Sequence, residues 1–267
     1  MQLEAGCQLV FEAEEASPLV LMLRPRSGVG QWVMREEYQL EPTVPVVEYT
    51  DSYGNLCQRM IAPAGRFQVY TLACVETSDT IDVEPDAPYV SVEHLPNDAL
   101  QFLLPSRYCQ SDMLGSLAQQ IVAERSPGYA QVEAIRAWIH AEVRYEYGTS
   151  DASTSAADTA ESQVGVCRDF THLGIALCRS LNIPARMVVG YLYQLEPMDL
   201  HAWFEAFVGD RWYTFDATQP EPRGNRIAIA YGRDAADVAL ATQFGPISLT
   251  SMNVWVKGID SSAQPTP

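Results

Sequence analysis

Apolar and polar residues alternate in short runs through the first 105 residues of the chain, a pattern typical of β-strands. Turn-forming residues separate the runs, most clearly at residues 51–55, where Gly54 and Asn55 tolerate positive φ. Three runs rich in β-branched and aromatic residues carry the pattern: CQLVFEA, PLVLMLRP and RFQVYTLACVE. The sequence therefore predicts an antiparallel β domain over residues 1–105.

After residue 105 the spacing of apolar residues changes to that of helices. Residues 114–122 and residues 132–139 each place apolar side chains on one face, so two amphipathic helices are predicted. Residues 148–162, GTSDASTSAADTAES, are small and polar and bury little apolar surface. We expect a mobile loop there, leading towards Cys167.

The remaining pattern combines one more helix with several strands. A helix is predicted from Cys167 to Leu181, where Asn182 and Pro184 stop it. Three alternating runs then predict strands: RMVVGYLY, HAWFEAFV and RWYTFDAT. We therefore predict an α+β fold class, with a second domain over residues 106–260 and a flexible tail over residues 261–267.

Charge narrows the choice of partners. The chain has 34 acidic and 17 basic residues, a formal net charge of −17. Such a field repels phosphate backbones and anionic bilayers. We therefore expect no nucleic-acid partner and no membrane association.

The N-terminus lacks a basic segment followed by an apolar one, and no stretch approaches ~18 consecutive apolar residues. Six cysteines are scattered without the paired spacing of a metal knuckle, and a reducing compartment would keep them as thiols. The sequence therefore predicts a cytoplasmic protein without a metal or another cofactor.

Cys167 is the candidate nucleophile among the six cysteines. It lies in the first turn of a predicted helix, where unpaired amides and the helix dipole stabilise a thiolate. Gly165 permits a sharp entry of the backbone, and the Cys167 amide could be an oxyanion donor. A buried structural cysteine is the alternative interpretation, and we predict that role for Cys178.

A base and its orienting partner are predicted from strand geometry. The period of two places His201 and Trp203 on one face of a strand. If Gly209 and Asp210 form a two-residue turn, Trp203 lies opposite Asp216, and His201 becomes the diagonal neighbour of Asp216. A three-residue loop would place the two side chains on opposite faces.

These three residues could share one reaction. Cys167 would attack a carbonyl, His201 would act as base and then as acid, and Asp216 would orient the imidazole. Each residue also has a structural interpretation: Asp216 could cap a turn, and a strand histidine is often a packing residue.

The runs GVCRDFTHLGIALCRSLNIPARMVVGY, HAWFEAFVGDRWYTFDAT and GRDAADVALATQFG resemble bacterial transglutaminase-like proteins named as candidate cysteine proteases. The resemblance covers most of residues 106–260, and TDSYGN and FLLPSRYC resemble the β-rich region that precedes this domain in the same group. It implies a papain-like catalytic domain with Cys167, His201 and Asp216 as its triad. No calcium loop of the DxDxDG kind is found in the sequence.

The resemblance implies acyl transfer at an amide bond of a peptide or protein substrate through a thioester. We favour water as the acceptor because nothing in the sequence marks an amine-acceptor site. A crosslinking transglutaminase and a non-catalytic interaction module are the alternatives. Gln163, Tyr147 and Trp203 are candidates for oxyanion or substrate contacts, and the sequence does not indicate the oligomeric state.

Overall fold

The computed structural model describes residues 1–259, and the predicted tail at residues 261–267 lies outside them. The described chain folds into strands and helices that confirm the α+β class. The strands are β1 (Gln2–Ala13), β2 (Ser17–Arg24), β3 (Gln31–Glu41), β4 (Val46–Thr50), β5 (Leu56–Ala62), β6 (Gly65–Thr77), β7 (Arg144–Tyr145), β8 (Val164–Gly165), β9 (Ala185–Leu192), β10 (His201–Val208), β11 (Arg211–Phe215), β12 (Arg226–Gly232), β13 (Ala241–Gln243) and β14 (Ile247–Gly258). The α-helices are α1 (Gly115–Val122), α2 (Tyr129–Glu142), α3 (Ala156–Ser162) and α4 (Cys167–Ser180).

Two four-stranded antiparallel sheets form an N-terminal sandwich. One has the order β14, β1, β6, β3, and the other has the order β13, β2, β5, β4. Alternate residues of both sheets point inward because successive side chains of a strand face opposite sides. Leu9 and Phe67 from the first sheet meet Leu21 and Met60 from the second in one apolar cluster. The predicted antiparallel β architecture is present here.

The last two strands belong to this sandwich by their pairing. β14 pairs with β1 from Leu3 opposite Gly258 to Ala13 opposite Ile247, and β13 pairs with β2. Strand pairing therefore groups residues 241–258 with the N-terminal sheets, whereas the predicted division placed them with residues 106–260. The division of the chain into domains at residue 105 stays a prediction.

A third antiparallel sheet, in the order β11, β10, β9, β12, carries the helices on one face. We call it the catalytic sheet because β10 carries His201 and Asp216 directly follows β11, and both belong to the predicted triad. Helix α4 packs on β10, and Gly174 makes the close approach possible, because a Cβ there would lie 2.5 Å from a ring atom of Phe204. Helix α4 extends to Ser180 with Leu181 as its cap, which agrees with the predicted helix.

The sandwich and the helical part share one apolar core. Leu3 and Val75 from β1 and β6 belong to the same buried cluster as Ile135 of α2 and Leu173 of α4. The catalytic sheet is therefore held between the helices and the N-terminal strands.

The predicted mobile loop at residues 148–162 needs correction, because its second half forms α3. The Ser155 backbone N–H and hydroxyl both donate to the Asp158 carboxylate, at 2.9 and 2.6 Å, which fixes the start of this helix. Ala156 and Thr159 are fully buried. The second half of the segment therefore packs against the fold, whereas most of residues 148–153 are exposed and their mobility stays a prediction.

None of the helices within residues 1–259 is both long enough and apolar enough to span a membrane.

Candidate active site

Cys167 is the first residue of α4 and differs from the other cysteines in its exposure. The other five thiols are buried, whereas Cys167 is partly exposed. None of the six cysteines, all of which lie within residues 1–259, forms a disulfide bond. A thiol at this position lies next to the first backbone N–H groups of the helix, which have no partners within it. Burial raises the pKa of the Cys178 thiol above its usual value, and Cys178 is a core residue, as the sequence predicts.

The start of α4 is fixed by a buried carboxylate. Asp169 is fully buried and accepts a hydrogen bond from the Val166 backbone N–H at 2.9 Å. Arg168 donates to the other carboxylate oxygen at 3.0 Å. Gly165 is required because a Cβ there would lie 2.7 Å from the Cβ of Asp169. The sequence assigned Gly165 to a sharp backbone entry, but its role is to leave room for Asp169.

The hairpin of β10 and β11 has the register that the sequence predicts. Val208 pairs with Arg211, so the turn contains two residues, and Phe204 pairs with Phe215. This register brings His201 and Asp216 to the same face, where His201 Nε2 lies 2.7 Å from Asp216 Oδ2. Both side chains are almost completely buried, at 3% and 4% exposure.

Asp216 is held as an anion by several donors. The backbone N–H and the hydroxyl of Thr218 donate to its Oδ1 at 3.0 and 2.7 Å. Arg226 Nη2 lies 2.8 Å from Oδ2, but it is not aligned for a hydrogen bond, so this contact is ionic. Burial raises the pKa of Asp216, but the charges of His201 and Arg226 and these hydrogen bonds outweigh it and place the pKa well below its usual range.

The imidazole of His201 is correspondingly stabilised in its charged form. Burial lowers its pKa, but the charge and hydrogen bond of Asp216, together with contact to Cys167, raise it to about 9. Because Nε2 bonds to Asp216, Nδ1 is the ring nitrogen left for the thiol. The site can therefore hold an imidazolium between a carboxylate and a thiol at neutral pH.

Trp203 stacks beneath this histidine. Its ring centroid lies 6.2 Å from that of His201, and the Arg226 guanidinium lies 5.0 Å from the Trp203 ring. The Trp203 side chain is buried. It therefore packs beside both the imidazole and the guanidinium, which meet each other at Asp216 Oδ2.

The two remaining candidates, Gln163 and Tyr147, precede Cys167 in the chain. Gln163 caps the end of α3 in the left-handed conformation, and its carbonyl accepts from the Arg144 N–H at 2.9 Å. Tyr147 is exposed and packs edge-on against Tyr145 at 5.4 Å. An oxyanion role for Gln163 or Tyr147 stays a prediction.

Sequence reasoning missed Tyr145, Thr218 and Arg226. Burial raises the pKa of Tyr145, the neighbouring Cys167 raises it further, and a hydrogen bond with the Cys167 backbone lowers it. The phenol is therefore neutral and lies beside the nucleophile. A threonine two residues after an aspartate is a local signal that could have identified Thr218. Arg226 comes from a distant strand and has no such signal.

Comparison with known proteins agrees with this geometry. Residues 115–217, which include Cys167, His201 and Asp216, match the model of the transglutaminase-like superfamily. A crystal structure of a "putative cysteine protease" from Cytophaga hutchinsonii is 37% identical, with a TM-score of 0.91, over 99% of this chain and 93% of that one. An uncharacterized protein of Mycobacterium leprae is 29% identical over 81% of this chain and 82% of its own length. The chain belongs to the transglutaminase-like superfamily.

Proposed function

We propose that the chain is a cysteine-dependent hydrolase of amide bonds in peptides or proteins, acting through a thioester on Cys167. The observation that carries this proposal is the 2.7 Å contact of His201 with Asp216 beside the partly exposed thiol. A nucleophile next to a base that is itself oriented by a third group is the arrangement that covalent acyl transfer requires. Membership of the superfamily and the similarity to the Cytophaga hutchinsonii protein support the same chemistry.

The first half of the reaction forms the thioester. Cys167 gives its proton to His201, and the thiolate sulfur forms a bond to the substrate carbonyl carbon while the carbonyl π electrons move to oxygen. His201 then gives this proton to the amide nitrogen as the carbon–nitrogen bond breaks. An amine leaves, and the acyl group stays on sulfur.

The second half consumes water. His201 takes a proton from a water molecule, whose oxygen attacks the thioester carbonyl. The carbon–sulfur bond breaks, the carboxylic acid leaves, and the proton returns to the Cys167 sulfur. Asp216 keeps Nε2 of His201 protonated throughout, so Nδ1 exchanges the proton in both halves.

We place the developing oxyanion between the Cys167 backbone N–H and the Tyr145 hydroxyl. Tyr145 lies next to Cys167, and burial is the largest cause of its raised pKa. Because its pKa is raised, the phenol stays protonated at neutral pH. A neutral phenol can donate a hydrogen bond to the oxyanion at no cost in charge burial. We prefer Tyr145 to Gln163 and Tyr147 for this role.

We also propose a cytoplasmic location. The six cysteines lie apart as thiols in the structure. Thiols of this number persist in a reducing compartment.

The net charge of −17 disfavours nucleic acid as a partner.

Mass spectrometry of products tests the proposal. The protein is incubated with a peptide library and a labelled primary amine, beside Cys167→Ala as the matched control. We expect cleaved or deamidated peptides, without label, from the wild-type protein alone. Incorporation of the amine would instead establish crosslinking chemistry, and identical products from the variant would remove Cys167 from the reaction.

A further inference from the structure

A second charged pair lies at the start of α4, directly after the candidate nucleophile. Arg168 donates to Asp169 Oδ1 through Nε at 3.2 Å and through Nη2 at 3.0 Å. The Asp169 side chain is fully buried, and that of Arg168 is 27% exposed. Among residues 1–259, neither side chain forms an ion pair with any other group. The two residues are therefore an isolated and mostly buried ion pair.

The Asp169 carboxylate is bound close to Cys167. Its second oxygen, Oδ2, accepts a hydrogen bond from the Val166 backbone N–H at 2.9 Å. Val166 is covalently joined to Cys167, so covalent geometry keeps this oxygen within roughly 8 Å of the Cys167 Cα. A buried negative charge at this range opposes the formation of a second negative charge on the thiol. The cap of α4 therefore puts the thiolate at an electrostatic disadvantage unless a cation offsets it.

The Arg168 guanidinium is held in place from two sides. Besides its bonds to Asp169, Nη2 donates to the Asp151 carbonyl at 2.6 Å. Asp151 is itself fixed, because its carboxylate accepts from the Ser153 backbone N–H and hydroxyl at 2.7 and 2.6 Å. The positive charge is therefore kept at the start of α4 instead of swinging into solvent.

The other ionisable groups around the thiol do not offset Asp169. His201 is paired with Asp216, and the phenol of Tyr145 is neutral. His172 lies near the pair, but burial lowers its pKa to about 4, so its imidazole is neutral at neutral pH. Charged or titratable side chains on the neighbouring elements have partners elsewhere or are exposed: Glu133 with Arg136, Arg144 with Glu146, Arg186 with Glu205, Asp158 with Ser155, His140 with the Ala217 carbonyl, and the exposed Asp112, Glu142, Tyr147 and Glu161.

We propose that Arg168 is a positioning residue that cancels the charge of Asp169 and so allows the Cys167 thiolate to form. Asp169 supplies the hydrogen bond that fixes the start of α4, and Arg168 removes the electrostatic disadvantage of a carboxylate at that position. Arg168 has this role only if Cys167 is the nucleophile, so the inference rests on the proposed function. Labelling of the thiol measures the effect without any substrate.

The rate of iodoacetamide labelling at Cys167, measured by peptide mapping over a range of pH, tests the role of Arg168. Arg168→Gln leaves Asp169 uncompensated, so the midpoint of the labelling curve should rise by about one pH unit, and the rate on its acidic limb should fall about tenfold. Asp169→Asn keeps an acceptor for the Val166 N–H and should lower the midpoint by a similar amount. The double variant Arg168→Gln/Asp169→Asn removes both charges and should return the midpoint to within about 0.3 pH units of the wild-type value.

Arg144→Gln is the matched control. Arg144 also pairs with a nearby carboxylate, that of Glu146 at 2.9 Å, but the two side chains are 73% and 50% exposed, so the midpoint should move by less than about 0.3 pH units. An unchanged midpoint in folded Arg168→Gln or in Asp169→Asn would overturn the proposed role of Arg168. So would a double variant with a midpoint as high as that of Arg168→Gln, because altered packing and not charge would then be the cause. None of these results would affect the proposed function, which fails instead if Cys167→Ala still hydrolyses peptides at the wild-type rate.

Discussion

In the N-terminal sandwich ion pairs lie at the surface, whereas the catalytic sheet holds charged groups in its interior. Arg24 on β2 pairs with Glu36 and Glu48, and all three side chains are partly or largely open to solvent. On the catalytic sheet, His201 and Asp216 are buried together. Burial of ions costs free energy that a surface pair avoids. The sandwich thus keeps these charges in contact with solvent, whereas the catalytic sheet buries charges at the point where chemistry is proposed.

The largest effect expected on activity comes from the thiol itself. Cys167→Ala removes the nucleophile and should lower the rate of peptide hydrolysis by at least ~10⁴-fold, because no thioester can form. The melting temperature should change little, since the side chain is partly exposed. Iodoacetamide labelling followed by peptide mapping provides a second measurement: the wild-type protein should label at Cys167 before its buried cysteines. Early labelling of Cys178 would contradict the assignment.

Removal of the buried anion should affect both activity and stability. Asp216→Asn is expected to lower kcat by ~10³- to 10⁴-fold through loss of imidazole orientation. It should also lower the free energy of unfolding by roughly 3–5 kcal/mol, because Arg226 loses its buried countercharge. Urea denaturation measures this change.

The sandwich offers the control for that measurement. Glu48 pairs with Arg24 at the surface and is 59% exposed, so Glu48→Gln should cost at most about 1 kcal/mol and leave kcat unchanged. Equal losses of stability in Asp216→Asn and Glu48→Gln would contradict the expectation that a buried charge of the catalytic sheet contributes more to stability than a surface ion pair of the sandwich.

The pH dependence of stability should report the buried imidazolium. The pKa of His201 is raised from 6.5 to about 9 in the folded state, so its stabilisation is complete below pH 6.5 and is lost as the pH rises through 9. The contribution is on the order of 3 kcal/mol. Urea denaturation between pH 6 and 10 should show a steeper alkaline decline for the wild-type protein than for His201→Gln. Parallel curves would mean that the histidine is neutral in the fold.

Loss of the neutral Tyr145 hydroxyl beside the thiol should lower kcat less than a change in the charged pair of His201 and Asp216. Tyr145→Phe removes the proposed oxyanion donor and should lower kcat by ~10- to 100-fold with little change in KM. Tyr147→Phe is the matched control, because Tyr147 packs against Tyr145 from an exposed position. Because both substitutions keep the ring and remove only a hydroxyl, an equal loss of kcat would mean that the Tyr147 hydroxyl also supports the oxyanion, which would contradict the preference for Tyr145.

Local geometry is predictable from the sequence, as the hairpin of β10 and β11 illustrates. Gly209 and Asp210 form a two-residue turn, and the period of two then sets which side chains share a face. Turn length and strand period together are enough to place His201 beside Asp216. The prediction succeeds because every step depends on residues close together in the chain.

Distant and compositional features are harder to predict. Residues 148–162 have a polar composition, yet the capping pair of Ser155 and Asp158 starts α3 and tertiary packing completes it. Arg226 reaches Asp216 from β12, and only the three-dimensional sheet brings them together. The pairing of β14 with β1 joins residues about 240 positions apart and leaves no local signal.

That last pairing also has a consequence for how the protein is made. β1 has β14 on one side and β6 on the other, so β1 is an edge strand of this sheet until the chain has been synthesised to residue 258. During translation, β1 therefore presents unpaired backbone groups while the residues of the catalytic sheet emerge. Pairing of β14 with β1 must therefore follow synthesis of the whole catalytic sheet, and a polypeptide cut after residue 105 would leave β1 open to pairing with other chains.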